Sequence, residues 1–184
     1  MTQALSSIST VLNTSAVSIR YTVAMPHPQT HLFEVTLTLE NWSADVLDLK
    51  FPVWTPGSYL VREYVRHLQR FAAMDVKGKP LDWEKVSKNH WQVQTPNHTN
   101  FTINYRIFAN ELTVRTNHLD ITHGYFNPAA MFFRVLGYEQ TAISLIIEPP
   151  YPTWKISTPL KTVAETPNTF IAKNFDELVD SPVE

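Results

Sequence analysis

Apolar residues at every second position are the dominant pattern of this chain. From Val17 to Ala24 the side chains of Val17, Ile19, Tyr21 and Val23 share one face, which is the two-residue period of a half-buried strand. The same period runs from His31 to Glu40, with Phe33, Val35, Leu37 and Leu39 on one side, and from Asn100 to Ala109, with Phe101, Ile103, Tyr105 and Ile107. Shorter runs predict strands over 46–53, 67–76, 81–86, 90–94, 142–148 and 154–157, and one more at Phe170 and Ile171. Pro26 and Pro28 cannot donate to a ladder, so 25–30 reads as a connection. Asn41–Asp45 and Lys77–Pro80 read as turns. Such short links predict that 17–24, 31–40 and 46–53 form an antiparallel meander, and that 81–86 pairs back on 67–76. Ser58 is placed to cap a helical turn near 60–66. The expected fold is mostly β, an antiparallel β-sandwich with one or two short helical turns. Residues 1–16 are expected as a flexible N-terminal arm, 17–173 as the sandwich, and the acidic, turn-rich 174–184 as a linker toward a further domain.

Composition strengthens the β reading and narrows the function classes. Val, Thr and Ile together make up a quarter of the 184 residues, and these branched side chains favour pleated surfaces over helices. There is no cysteine, so disulfides, thiolate metal sites and cysteine nucleophiles are excluded. A net charge of −2 lacks the basic footprint of a nucleic-acid partner. No run reaches the about 18 apolar residues that a membrane-spanning helix needs. The first sixteen residues have neither a basic start nor a continuous apolar stretch, so they do not read as a secretory signal, and the cytoplasm is the favoured location. Four scattered glycines build no phosphate-cradling loop, and no Gly-x-Ser-x-Gly elbow is present.

The stretch 110–127 departs from the alternating period and gathers His118, Asp120, His123, Tyr125 and Asn127. Two imidazoles and a carboxylate are a metal-ligating set. Nothing in their spacing fixes them on one face, so hydrogen-bonded structural residues are the favoured reading. The tryptophans Trp42, Trp54, Trp83, Trp91 and Trp154 leave open a free-standing carbohydrate- or peptide-binding module, against ordinary core packing.

Two blocks carry a resemblance to a known family. Residues 51–64, Phe-Pro-Val-Trp-Thr-Pro-Gly-Ser-Tyr-Leu-Val-Arg-Glu-Tyr, contain a Trp-Thr-Pro-Gly-Ser-Tyr signature, and 109–117 with 120–132 form a second block in the same order. Both resemble the N-terminal domain of the glycyl aminopeptidase family of zinc metallopeptidases. The resemblance implies an N-terminal β-sandwich followed by a thermolysin-like catalytic domain with a His-Glu-x-x-His zinc site and a C-terminal PDZ domain. This sequence holds no His-Glu-x-x-His, so the expectation is a non-catalytic domain with no cofactor of its own, zinc residing in the parent's catalytic domain. Its expected partners are that catalytic domain and a peptide substrate. By analogy with related aminopeptidases, the domain is expected to line one side of the substrate groove. Tyr125 would supply an aromatic wall and Asn127 an amide that accepts from the substrate's ammonium, with His123 and Asp120 as orienting or charge-pairing groups. Trp54, Pro56, Gly57, Ser58, Tyr59 and Arg62 are expected to form a proline-fixed loop that braces the sheet.

Overall fold

A computed structural model describes residues 16–184. The expected arm at 1–16 lies almost wholly outside the described residues. The strands are β1 (Ser18–Ala24), β2 (Leu32–Glu40), β3 (Val46–Lys50), β4 (Leu68–Asp75), β5 (Trp83–Ser87), β6 (His90–Gln94), β7 (Phe101–Phe108), β8 (His118–Leu119), β9 (Gly124–Tyr125), β10 (Arg134–Val135), β11 (Ile143–Glu148), β12 (Lys161–Thr162) and β13 (Thr169–Ala172). One short helix, α1 (Phe175–Val179), follows. A seven-stranded sheet runs β12-β13-β11-β1-β2-β7-β4, a four-stranded sheet β10-β3-β6-β5, and a two-stranded ribbon β8-β9. The fold is thus mostly β, as the alternation implies. Pairing is antiparallel except between β1 and β11, which run parallel because the chain returns to the sheet's middle after visiting the second sheet.

The alternating faces become the core. Tyr21 and Val23 on β1, Phe33, Val35, Leu37 and Leu39 on β2, and Phe101, Ile103, Tyr105 and Ile107 on β7 are all buried. Leu47 and Leu49 on β3 and Trp91 and Val93 on β6 bury the facing side of the smaller sheet. Between the sheets runs a segment made of a single 3₁₀ turn (Pro128–Ala130) and the irregular residues that lead into β10, in which Pro128 through Phe133 are buried without a break. The Phe133 ring lies 5.1 Å from Trp91 of the smaller sheet and 5.1 Å from Tyr105 of the larger one. Backbone that is neither helix nor ladder is costly to bury unless its polar groups are paired. Side chains supply the partners here: Tyr21 donates to the Phe133 carbonyl, Tyr105 to Met131 (2.9 Å), and the buried Asn117 to Ala130 (2.9 Å). Burial pushes both phenols far up, so they remain donors.

Several sequence expectations are corrected by this core. The third strand does not continue a meander: the turn at 41–45 buries Trp42, whose indole N–H donates to Thr95 Oγ1 (3.1 Å), and carries the chain into the other sheet. Residues 81–86 do not pair back along β4. A single bridge, Met74 to Pro80, forms through the Asp75 N–H to the Lys79 carbonyl and the Leu81 N–H to the Ala73 carbonyl (both 2.9 Å), and the chain then leaves β4 so that β5 joins β6. The helical turn lies at Tyr64–His67 and is 3₁₀, and its N-cap is Glu63 rather than Ser58. Residues 154–157 are irregular, although Ser157 exchanges two backbone hydrogen bonds with Glu184 (2.7 and 3.0 Å). That pairing also shows why 174–184 is not a free linker. Asn174 caps α1 by accepting from the Glu177 N–H (2.9 Å), and Phe175, Leu178 and Val183 are buried, with Val183 bridged to Phe126.

Tyr21→Phe removes the donor to Phe133 while keeping the ring. The carbonyl has no route to water, so the substitution is expected to cost about 1–3 kcal/mol, read as a lower urea midpoint at unchanged slope. An unchanged midpoint would mean that the buried segment does not depend on this bond.

Candidate functional site

The residues singled out in 110–127 separate into two groups. The first is the tip of the β8–β9 ribbon, in which His118 pairs with Tyr125 and Leu119 with Gly124. Asp120 opens the connecting turn. Its Oδ1 accepts from the Thr122 hydroxyl (2.6 Å), the Thr122 N–H (2.7 Å) and the His123 N–H (3.1 Å), and these bonds hold its carboxyl well below the usual carboxylate range. The other oxygen, Oδ2, lies 3.1 Å from His118 Nε2, and His123 Nδ1 is 3.8 Å from Oδ1. The two imidazole rings stack with centroids 4.8 Å apart. Spacing alone did not place these three side chains together; the ribbon and its turn do.

Tyr125 and Asn127 form the second group, and both converge on the carbonyl of Val114. The Tyr125 hydroxyl donates to it at 3.1 Å and the Asn127 amide at 3.4 Å. Burial and the nearby Glu184 carboxylate raise the Tyr125 phenol, which keeps it a donor. Asn127 is also a cap: its Oδ1 accepts from the Ala129 N–H (3.0 Å) at the start of the 3₁₀ turn 128–130, and its own N–H donates to Asn117 Oδ1 (2.9 Å). Asn127 lines an open groove of about 470 Å³ together with Tyr59, Leu60, Arg62, Val114 and Arg115. His123 and Asp120 are not among the residues that line it.

The Trp54–Arg62 loop forms the other wall of that groove. Pro56 and Gly57, the latter at φ +83°, make a turn closed by the Ser58 N–H to the Thr55 carbonyl (3.0 Å). Trp54 Nε1 donates to the Ser58 carbonyl (2.7 Å), and the Arg62 N–H to Val53 (2.6 Å). The loop therefore braces itself. Its apolar side chains face outward: Tyr59 is 99 % exposed, Leu60 61 % and Val61 68 %, beside Leu112 at 78 % and Val114 at 76 %. With Trp54 at 50 %, two adjoining loops thus leave six large apolar side chains in water, far more than scattered surface residues require. The tryptophans form no common platform: Trp42 and Trp91 are buried, and no two tryptophan rings pair among the described residues.

A second open groove, about 270 Å³, runs on from Arg62 past Arg66, His67, Glu111 and Arg115. Sequence reasoning did not single out this charged set, because its members lie on segments separated by more than forty residues. Arg66 Nη2 pairs with Glu111 Oε1 at 2.8 Å, while Arg66 Nε donates to His67 Nε2 at 2.8 Å. That last bond requires a neutral imidazole. Burial first, then the Arg66 charge, lowers the His67 pKa, against an opposing pull from Glu111.

Residues 20–184 match the model of the Peptidase M61 N-terminal domain. Among solved structures the chain is similar to an aminopeptidase N family protein from Idiomarina loihiensis, at 33 % identity and a TM-score of 0.83, over 90 % of this chain and 28 % of that one. An M1 zinc metallopeptidase from Deinococcus radiodurans also matches, at 13 % identity and a TM-score of 0.45, over 91 % of this chain and 40 % of that one. The chain therefore spans well under half the length of these relatives. Comparison with curated protein sequences gave no match.

Because the His67 pKa lies lower in the folded state than in the unfolded one, the unfolded chain binds the extra proton. The stabilisation is therefore complete above the unfolded value of about 6.5 and is lost progressively as pH falls from there through the lower folded-state value. Denaturation midpoints measured from pH 7.5 to 5 are expected to fall in the parent and to fall less steeply in His67→Gln. Equal slopes would exclude His67 as a contributor.

Proposed function

From the premise that the chain belongs to the peptidase M61 N-terminal domain family, we propose that it is the non-catalytic N-terminal β-domain of a zinc-dependent aminopeptidase. In this reading it docks on the catalytic domain of the same polypeptide and lines one side of the groove that receives a peptide's amino end. The observation that carries the reading is the exposed apolar surface of the 54–61 and 112–114 loops around the 470 Å³ groove. Apolar side chains held in water by a self-braced loop gain by burial against a partner, and in the structural relative, of which this chain covers 28 %, the remaining length is where such a partner would lie. The catalytic zinc belongs to that remaining part, because this sequence lacks the paired histidines and general-base glutamate of the His-Glu-x-x-His motif.

Within the groove, Asn127 is the residue assigned to the substrate's ammonium. Its Oδ1 uses one lone pair on Ala129 and keeps a second. Tyr125 acts behind it as a positioning residue, since its hydroxyl and the Asn127 amide share the Val114 carbonyl. His123 and Asp120 belong to the ribbon tip and take no part in this step. The domain's work is binding and orientation, and bond cleavage falls to the zinc-bearing domain.

The test compares hydrolysis of a glycyl anilide by this chain and by the longer polypeptide that carries it. Activity is expected only in the longer protein, together with a catalytic zinc held outside residues 1–184. There, Asn127→Ala is expected to lower kcat/KM for unblocked peptides about 10- to 100-fold, the loss of a hydrogen bond to a charged group. Asn127→Asp keeps the cap and the acceptor but loses the donor to Val114, and should retain more activity than Asn127→Ala. Activity in neither protein, or unchanged kinetics in Asn127→Ala, would overturn the respective assignment.

A further inference from the structure

The ribbon tip is explained neither by packing nor by the groove. His118 is 9 % exposed, yet its Nδ1 has no hydrogen-bond partner among the described residues. Its Nε2 faces a carboxylate oxygen, Asp120 Oδ2, at 3.1 Å. Either neutral tautomer leaves this imidazole short of a partner: a proton on Nε2 satisfies Asp120 and strands Nδ1 as a buried acceptor, and a proton on Nδ1 sets two lone pairs against each other. A cation between Nε2 and Oδ2 would relieve the second arrangement, with the imidazole proton on Nδ1.

We infer that His118, Asp120 and His123 form a binding site for a divalent transition-metal ion, with the zinc class of ions as its natural occupant. Their donor atoms lie within 4.8 Å of one another. Ligands at the roughly 2.0–2.2 Å bond lengths of a tetrahedral zinc site stand about 3.3 Å apart, close to the 3.1 Å between His118 and Asp120. His123 Nδ1 lies 3.8 Å from Asp120 Oδ1 and 3.1 Å from the Thr122 hydroxyl, so its ring, on a side chain 41 % exposed, must turn from that hydroxyl toward Oδ2 and His118 Nε2 to complete the set. The rest of the site is already set. The β8–β9 pairing fixes His118, and three donors on Oδ1 fix the Asp120 carboxylate with Oδ2 turned toward His118. Two imidazoles and one carboxylate favour zinc, cobalt or nickel over calcium or magnesium, which prefer all-oxygen shells. Three protein ligands leave at least one coordination position to water or another donor on the solvent side.

The test is calorimetric titration of this chain with zinc chloride at neutral pH, with cobalt absorption as a second readout of ligand geometry. One ion per chain is expected, with calcium giving no heat. His123→Ala and Asp120→Asn are each expected to weaken zinc at least about tenfold, since even outer-shell changes cost that much, while His27→Ala, an exposed histidine elsewhere, leaves it unchanged. Because the His123 side chain is substantially exposed, His123→Ala should melt at the parent temperature without metal, which separates lost ligation from lost folding. No saturable binding below about 1 mM, or parent-strength binding in either ligand variant, would overturn the assignment.

Discussion

The structure depends on burying an irregular stretch of backbone between two sheets. Residues 128–133 run through the middle of the core with no ladder to satisfy them, and the carbonyls of Ala130, Met131 and Phe133 are paired instead by Asn117, Tyr105 and Tyr21. Two of these donors stand on central strands of the larger sheet, so the sheet positions the segment, and the segment's Phe133 in turn joins the sheet to Trp91 of the smaller one. Asn117 extends the same arrangement outward. Its amide nitrogen holds Ala130 while its oxygen holds the Asn127 N–H, and Asn127 is the groove residue. The geometry of the surface is thus tied to the polar bookkeeping of the core.

That tie separates rigid parts of the surface from adaptable ones. Asn127 and Tyr125 are fixed through shared bonds to Val114, and the ribbon tip is fixed by the Asp120 turn. The loops at 54–61 and 112–114 are tied mainly to themselves and carry exposed apolar side chains. A fixed floor with a greasy, locally braced rim suits a domain whose rim is covered by a neighbour and whose floor meets a ligand. The charged set at Arg66, His67 and Glu111 borders the same rim, where burial by a partner would strengthen its ion pair.

Much of the strand inventory was legible because alternation is a local property. β1, β2, β6 and β7 lie where the period of two places them, with the buried faces that the period selects, and β11 lies where a compact apolar run ends at two prolines. The sheet to which each strand belongs was not legible in the same way. The turn at 41–45 looks like any polar link until Trp42 is seen to be buried, and 81–86 looks like a hairpin return until β5 is seen to pair with β6 after a single bridge to β4. The tail reads as a linker because its charges are local, whereas Phe175, Leu178 and Val183 find their pockets only on the finished domain.

For the candidate sites the same division holds. By itself the sequence determined the β class, the identity of the two unusual blocks and the residue types able to bind an amine or a metal, since each is set by short-range pattern and side-chain chemistry. Only the tertiary structure decided that Asn127 joins Tyr59 and Arg62 while Asp120 and His123 join His118. The reason is physical. Which distant segments meet is set by how two sheets share one core, and a bond such as that from Tyr21 to Phe133, spanning 112 residues, leaves no trace in any local window.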